Sequence, residues 1–180
     1  MARKKITPEM ELVEKIAMLM MANGEHGMDE SEIVPEAVIL KILSAVENLE
    51  AVDRDGRTLL IHAAFYGREA AMRYLLERGA NIHAADQNGF TALHGAVQEN
   101  RLKMVKYLLE NGADANARDA FGNSPLQRLG HTQPKELFLL LLSHGADPDL
   151  PNNYGISARD KNAAYPDILE LLNICGRQTK

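Results

Sequence analysis

The segment Asp86–Ala117 recurs on both sides of itself at a constant offset of 33 residues. Asp53-Arg-Asp-Gly56-Arg-Thr58 aligns with Asp86-Gln-Asn-Gly89-Phe-Thr91 and then with Asp119-Ala-Phe-Gly122-Asn-Ser124. The far end of the unit recurs as Leu75-Leu76-Glu-Arg-Gly79-Ala80-Asn81, Leu108-Leu109-Glu-Asn-Gly112-Ala113-Asp114 and Leu141-Leu142-Ser-His-Gly145-Ala146-Asp147. Gly56, Gly89, Gly122 and Gly155 keep the spacing, and so do Gly79, Gly112 and Gly145. A unit this short cannot enclose a core of its own. Its apolar face must be buried on the next copy, so a fixed period of this length reads as a solenoid.

Thr91-Ala92-Leu93-His94 stands close to a Thr-Pro-Leu-His signature, and each unit ends in a Gly-Ala-Asp/Asn turn. On these residues the chain resembles the ankyrin-repeat family. The resemblance spans about residues 42–175, most closely 53–117. It implies an all-α solenoid of stacked helix-turn-helix units with β-turn or hairpin fingers. The expected division of the single domain, 1–180, is a helical N-terminal cap or degenerate repeat (1–52), repeats at 53–85 and 86–118, a divergent repeat at 119–151 and a C-terminal capping repeat at 152–180. Terminal repeats depart from the pattern because one of their faces meets water.

Local signals place the helices. Thr7 as N-cap and Pro8 in the first turn predict an amphipathic helix over 8–23, with Met10, Val13, Ile16, Ala17 and Met20 on one face and Asn23-Gly24 as its stop. A polar connector, Glu25–Glu32, leads to a second helix over Pro35–Glu47. In the first full repeat Thr58 caps a helix over Leu59–Phe65. Gly67 breaks it, and Gly79 ends a second helix over Glu69–Arg78 in which Leu75 and Leu76 are buried. Asn100 replaces the corresponding glycine in the next repeat, because Asn tolerates that backbone region next best. The third repeat has Gln127 where His94 stood, Arg128-Leu129-Gly130 in place of small residues, and Gln133-Pro134 before a helix over Lys135–Ser143. Local distortion is expected there, not loss of the repeat.

Composition excludes several functions. Net charge is −5 and no long basic run exists, so nothing offers an electrostatic footprint for nucleic acid. No window is apolar enough to span a membrane, and charged residues from Glu9 to Lys15 break the apolar run that a signal peptide needs. The single cysteine, Cys175, permits no internal disulfide and falls in a core register, as a buried structural thiol would. The expected setting is the reducing cytoplasm. Six histidines are present without a His-x-x-x-His pair or a cysteine cluster, and no phosphate-cradling loop or nucleophile elbow appears. His94 holds the signature position, where the family's histidine ties its turn to a neighbour, and His62 lies one residue after that position. The expectation is no metal, no cofactor and no catalysis.

The remaining positions are the two residues after each turn Asp, the one after each turn Gly, and the pair ending each first helix. The repeat pattern assigns them no packing duty, and the resemblance implies that they line a concave, partner-binding face. They are Arg54, Asp55, Arg57, Phe65 and Tyr66 in the first repeat, and Gln87, Asn88, Phe90, Gln98 and Glu99 in the second. The third supplies Ala120, Phe121, Asn123, His131 and Thr132, and the last unit Asn153, Tyr154, Ile156 and Tyr165. Six of the nine aromatics in the chain fall on this set, while Tyr74, Tyr107 and Phe138 lie on second helices. An aromatic row suits an interface because it buries large area with few rotors, and Arg54, Arg57, Asp55 and Glu99 would form its charged rim. The expected function is non-catalytic binding of a partner protein, as an adaptor or stoichiometric inhibitor, by a monomer. The alternatives are an immunity protein or antitoxin neutralising a cognate toxin, and a self-assembling subunit that dimerises through its caps, where Met18-Leu19-Met20-Met21 is the apolar segment. An enzyme with an unrecognised site is the least supported class.

Overall fold

A computed structural model describes residues 6–21 and 34–175, and side chains as far as residue 173. The expected Asn23-Gly24 stop, the Glu25–Glu32 connector with His26, and the Cys175 side chain lie outside the described parts. In chain order the helices are α1 (Pro8–Met21), α2 (Glu36–Ser44), α3 (Leu59–Phe65), α4 (Glu69–Glu77), α5 (Ala92–Gln98), α6 (Leu102–Glu110), α7 (Pro125–Arg128), α8 (Lys135–Ser143), α9 (Ala158–Lys161) and α10 (Pro166–Cys175). They form two layers. In the inner layer α1, α3, α5, α7 and α9 pack each on the next; in the outer layer α2 packs on α4, α6 on α8, and α8 on α10. Arg73 of α4 lies 4.0 Å over the Tyr107 ring of α6 and bridges the outer layer between them.

The layers follow from side-chain size. Inner helices carry Ala63, Ala64, Ala92, Gly95 and Ala96, all buried, so their backbones approach closely. Outer helices supply the bulk through Met72, Leu75, Met104, Leu108, Phe138 and Leu141, which join one continuous core from Val13 to Leu172. Each outer helix of the three central units ends in the same way. Ala80 N–H donates to the Leu75 carbonyl (3.0 Å) and Gly79 N–H to that of Leu76 (2.9 Å), and the same pair of bonds recurs at Gly112 and Gly145. That is a Schellman stop, which needs the left-handed φ of +88° that Gly79 adopts. Leu76, expected in the core, is only half-buried.

Several expected boundaries move for local reasons. α2 stops at Ser44, not Glu47: the chain bends at Ala45 and Val46 turns into the core. Asn100 takes φ +54°, so it does stand in for the glycine at that bend. In the divergent repeat α7 makes a single turn where α3 and α5 make two. Leu129 is extended (φ −69°, ψ 137°), and Gly130 N–H is held by the Gln133 side chain at 2.6 Å. Pro134 disfavours helix at the residue before it, so the inner helix cannot continue toward α8. The distortion is therefore real, and the repeat survives it.

Nothing in the periodicity singles out Arg68, yet its buried guanidinium locks the N-terminal helices in place. Its Nε donates to the Met20 carbonyl at 2.7 Å and its Nη2 to that of Leu19 at 3.0 Å, at the C-terminal end of α1. Nη1 meets Glu36 Oε2 at 3.5 Å, while the other oxygen of Glu36 accepts from Ala71 N–H at 3.0 Å, in the first turn of α4. A cation over terminal carbonyls and a carboxylate at a helix start both match the helix dipoles.

Candidate functional site

The four turn tips are built alike. Asp53 Oδ1 accepts from the N–H groups of Asp55 and Arg57, both at 2.9 Å. Asp86 does the same for Asn88 and Phe90, Asp119 for Phe121 and Asn123, and Asn152 for Tyr154 and Ile156. Each of the three acids is buried for this purpose. Neighbouring tips are then tied by their backbones: Gln87 N–H to the Asp55 carbonyl (3.0 Å), Ala120 N–H to that of Asn88 (2.6 Å), and Asn153 N–H to that of Phe121 (2.9 Å). The approach is close enough that a Cβ on Gly89 would sit 2.9 Å from the Arg118 carbonyl oxygen, at a φ of +70°. A side chain is excluded there twice over.

A second ladder runs beneath the tips. His94 Nδ1 accepts from Thr91 N–H (3.3 Å), so Nε2 carries the proton and donates to the Asn123 carbonyl in the next turn (3.2 Å). One period later Gln127 makes the same two bonds: its Oε1 accepts from Ser124 N–H (2.8 Å), and its Nε2 donates to the Ile156 carbonyl (2.6 Å). The missing histidine of the third repeat is thus replaced, not lost. A further period on, Asp160 accepts from Ser157 N–H (2.9 Å) and has no donor to pass forward.

Two buried imidazoles make this scaffold pH-sensitive. His62 bonds Asp53 Oδ2 at 2.8 Å, yet burial outweighs that carboxylate and holds its pKa below the ordinary 6.5. Burial likewise depresses His94, against the opposing bond to the Asn123 carbonyl. The unfolded chain binds the protons that these rings refuse. Their contribution is complete above pH 6.5 and is lost as pH falls below that value. Urea midpoints measured on either side of pH 6.5 should therefore fall with acidification. His94→Gln, copying Gln127, should fold and show a shallower fall, and an equally steep one would move the effect away from His94.

The candidate face does not consist of positions free of packing, as the repeat pattern suggests. Arg57 pairs with Asp86 at 3.3 Å and Arg54 with Glu14 of α1 at 2.9 Å. The Gln87 side chain donates to the Arg54 carbonyl at 2.6 Å, Asn153 to that of Ala120 at 3.0 Å, and Asn123 Nδ2 to Asp119 at 3.3 Å. Asp55 and Asn88 contribute carbonyls to the ladder while their side chains stay exposed, and Gln98 reaches its neighbour Glu99 (3.3 Å).

The aromatic row divides in three. Phe65, Tyr66 and Phe90 are half-buried. Tyr66 stacks on His62 with centroids 5.9 Å apart and meets Phe65 edge-on at 5.3 Å, and Phe90 leans on His94 at 5.3 Å. Gly95 makes room for two of them, since a Cβ there would lie 3.5 Å from both Phe65 and Phe90. His131 and Tyr165 stack on each other at 4.0 Å. Phe121 and Tyr154 alone remain large exposed aromatics, at 53% and 70% accessibility, on adjacent tips. The second-helix aromatics behave as expected: Phe138 is buried, and Tyr74 and Tyr107 are half-buried beneath Arg78 and Arg73.

The sequence reading passes over Arg128 and Lys161 as binding groups. They occupy one register, 33 apart, after His62 and Gly95. Both line a cleft of about 380 Å³ beside the third and fourth tips, with Asn123, Asn152 and Ser157. Among the described residues no group of three or more His, Cys, Asp or Glu could hold a metal, and no helix is long and apolar enough to cross a membrane.

The family model for ankyrin repeats in three copies matches residues 19–119 and again 86–152, well over half of the chain. No curated protein matches it.

Proposed function

The chain belongs to the ankyrin-repeat family, and from that premise we propose that it binds a partner protein through the face formed by its turn tips and inner helices. Ankyrin repeats generally mediate protein–protein interaction and are typically non-catalytic. Here the finer reading is a cytoplasmic adaptor or stoichiometric inhibitor. One observation carries it: Phe121 and Tyr154 stand exposed on neighbouring tips that a backbone hydrogen bond holds rigid. Aromatic anchors on a rigid frame lose little entropy on binding, and such residues supply most of the affinity of an interface. Arg54, Asp55, Asn88, Gln98 and Glu99 would form the polar rim, and the half-buried Phe65, Tyr66 and Phe90 its apolar floor. A second reading, pairing of N-terminal caps, draws on exposed Leu12, Met18 and Met21 along α1.

Affinity capture from native lysate with wild type beside a Phe121→Ala/Tyr154→Ala variant tests the proposal. Both positions are exposed, so the variant should keep its fold. A protein retained by wild type should be lost from the variant, with affinity reduced about a hundredfold. Equal retention by both would overturn the assignment, and a dimeric mass in light scattering would then transfer the function to the cap.

A further inference from the structure

The cleft lined by Asn123 of the third turn and Asn152 of the fourth holds a cation with no carboxylate partner among the described residues. In the register that Arg128 and Lys161 share, His62 and Arg128 each face the turn acid nine residues earlier. His62 meets Asp53, and Arg128 forms an ion pair with Asp119. In the last unit the acid has become Asn152, whose Nδ2 is turned to Asn123 Oδ1 at 2.9 Å. Lys161 consequently pairs with no carboxylate among the described residues. Its Nζ donates to the Gln127 carbonyl at 2.7 Å, which leaves two of its three protons unused. Arg128 lines the same cleft, and its buried Nε has no hydrogen-bond partner among the described residues. The Phe90 ring, 5.5 Å from its guanidinium, holds that group in place.

On the reading that this face binds a protein, we propose that the cleft takes the carboxylate of an Asp or Glu side chain of the partner, next to an apolar residue held by Phe121 and Tyr154. The lysine side of the cleft would bind the acid, with the Asn123 and Asn152 amides and the Ser157 hydroxyl around it. Charge balance selects a carboxylate over a phosphate. Asp119 is committed to Arg128, and Asp160 to the Ser157 hydroxyl at 2.7 Å, so one positive charge is left over and a dianion would face two nearby acids. Burial and the neighbouring Arg128 charge both pull the Lys161 pKa down, and a bound carboxylate would oppose that pull. The site comes from two departures from the repeat pattern that arise together, an acid exchanged for Asn152 and a cation retained at Lys161.

The test uses the whole chain and a random linear-peptide display library, selected in parallel on wild type, Lys161→Met, Lys161→Glu and Phe121→Ala/Tyr154→Ala. Lys161 is exposed as a residue and has no ion pair among the described residues, so its variants should fold, which circular dichroism would verify. Wild-type binders should be enriched in Asp or Glu beside an aromatic or aliphatic residue. Such a peptide should bind Lys161→Met about tenfold more weakly, and Lys161→Glu should select basic residues at that position. Binders that need Phe121 and Tyr154 but show no acidic preference would overturn the cleft while leaving the binding face intact. Binders indifferent to all three variants would overturn both. Displacement of the peptide by inorganic phosphate at lower concentration than by acetate would overturn the choice of a carboxylate.

Discussion

Arg68→Met should lower stability by about 3–5 kcal/mol, the usual cost of removing one partner from a buried charged network. The substitution keeps most of the apolar stem, so lost volume explains little of it. The Leu19 and Met20 carbonyls lose their donors, and Glu36 is left half-buried with no cation. All these acceptors belong to α1 and α2, whereas Arg68 stands at the start of α4. In a solenoid each unit touches only its neighbours, so a defect there loosens the end of the stack before the middle. Hydrogen exchange should show α1 amides losing protection while those of α5 keep theirs, and urea unfolding should acquire an early, partial transition. Arg68→Lys should fall between the two, because one ammonium cannot span three acceptors on two helices. A loss below about 1 kcal/mol in Arg68→Met, the scale of a surface pair, would show that these bonds do not hold the cap.

How well the sequence foretold these features depended on whether a residue answers to its own repeat or to the next one. α3 runs over Leu59–Phe65 as expected from Thr58 and Gly67, since a cap and a breaker act within a few residues. The Schellman glycines were legible for the same reason. The shortening of α7 was expected only as distortion, because Gly130 and Pro134 announce a break without giving its extent. Gln127 looked like a lost histidine. An amide offers an acceptor oxygen and a donor NH2 group, as a neutral imidazole offers one acceptor and one donor nitrogen, and only the next turn's carbonyl reveals that the exchange conserves both bonds.

The candidate face was the least legible part. Aromatics at turn positions look equally solvated in an alignment, yet Phe90 sits where Gly95 leaves a gap and Phe121 does not. That difference comes from contact between repeats: Gly95 admits Phe65 and Phe90, while the equivalent Arg128 extends over the Phe90 ring. The cleft was hidden in the same way. Lys161 appears as one more surface lysine until the exchange of an acid for Asn152, nine residues earlier, is read against the neighbouring repeat.

Phe138→Ala should cost about 3–5 kcal/mol, at the upper end of that range, with unfolding measured by denaturant midpoint. Phe138 is fully buried in α8, in the register of Val105 in α6 and Met72 in α4. The repeat that carries the larger side chain has an inner helix, α7, of a single turn where α3 and α5 make two. The expectation is that the phenyl ring fills room that a second turn of α7 would have taken. Leu129 and Pro134 fix the backbone around it, so the space left by truncation cannot readily close. Phe138→Val installs the residue that the neighbouring repeat uses at the same register, and it should still cost more than about 2 kcal/mol because the missing turn of α7 remains unfilled. Benzene should raise the melting temperature of Phe138→Ala and leave wild type unchanged, since a dry apolar void of that shape takes an aromatic guest. The damage should also divide the stack, because α8 joins α6 on one side to α10 on the other. The fourth unit should then lose amide protection well before α3 and α5. If Phe138→Val proved as stable as wild type, the ring would not be filling the missing turn, and α7 would be short for reasons confined to Gly130 and Pro134.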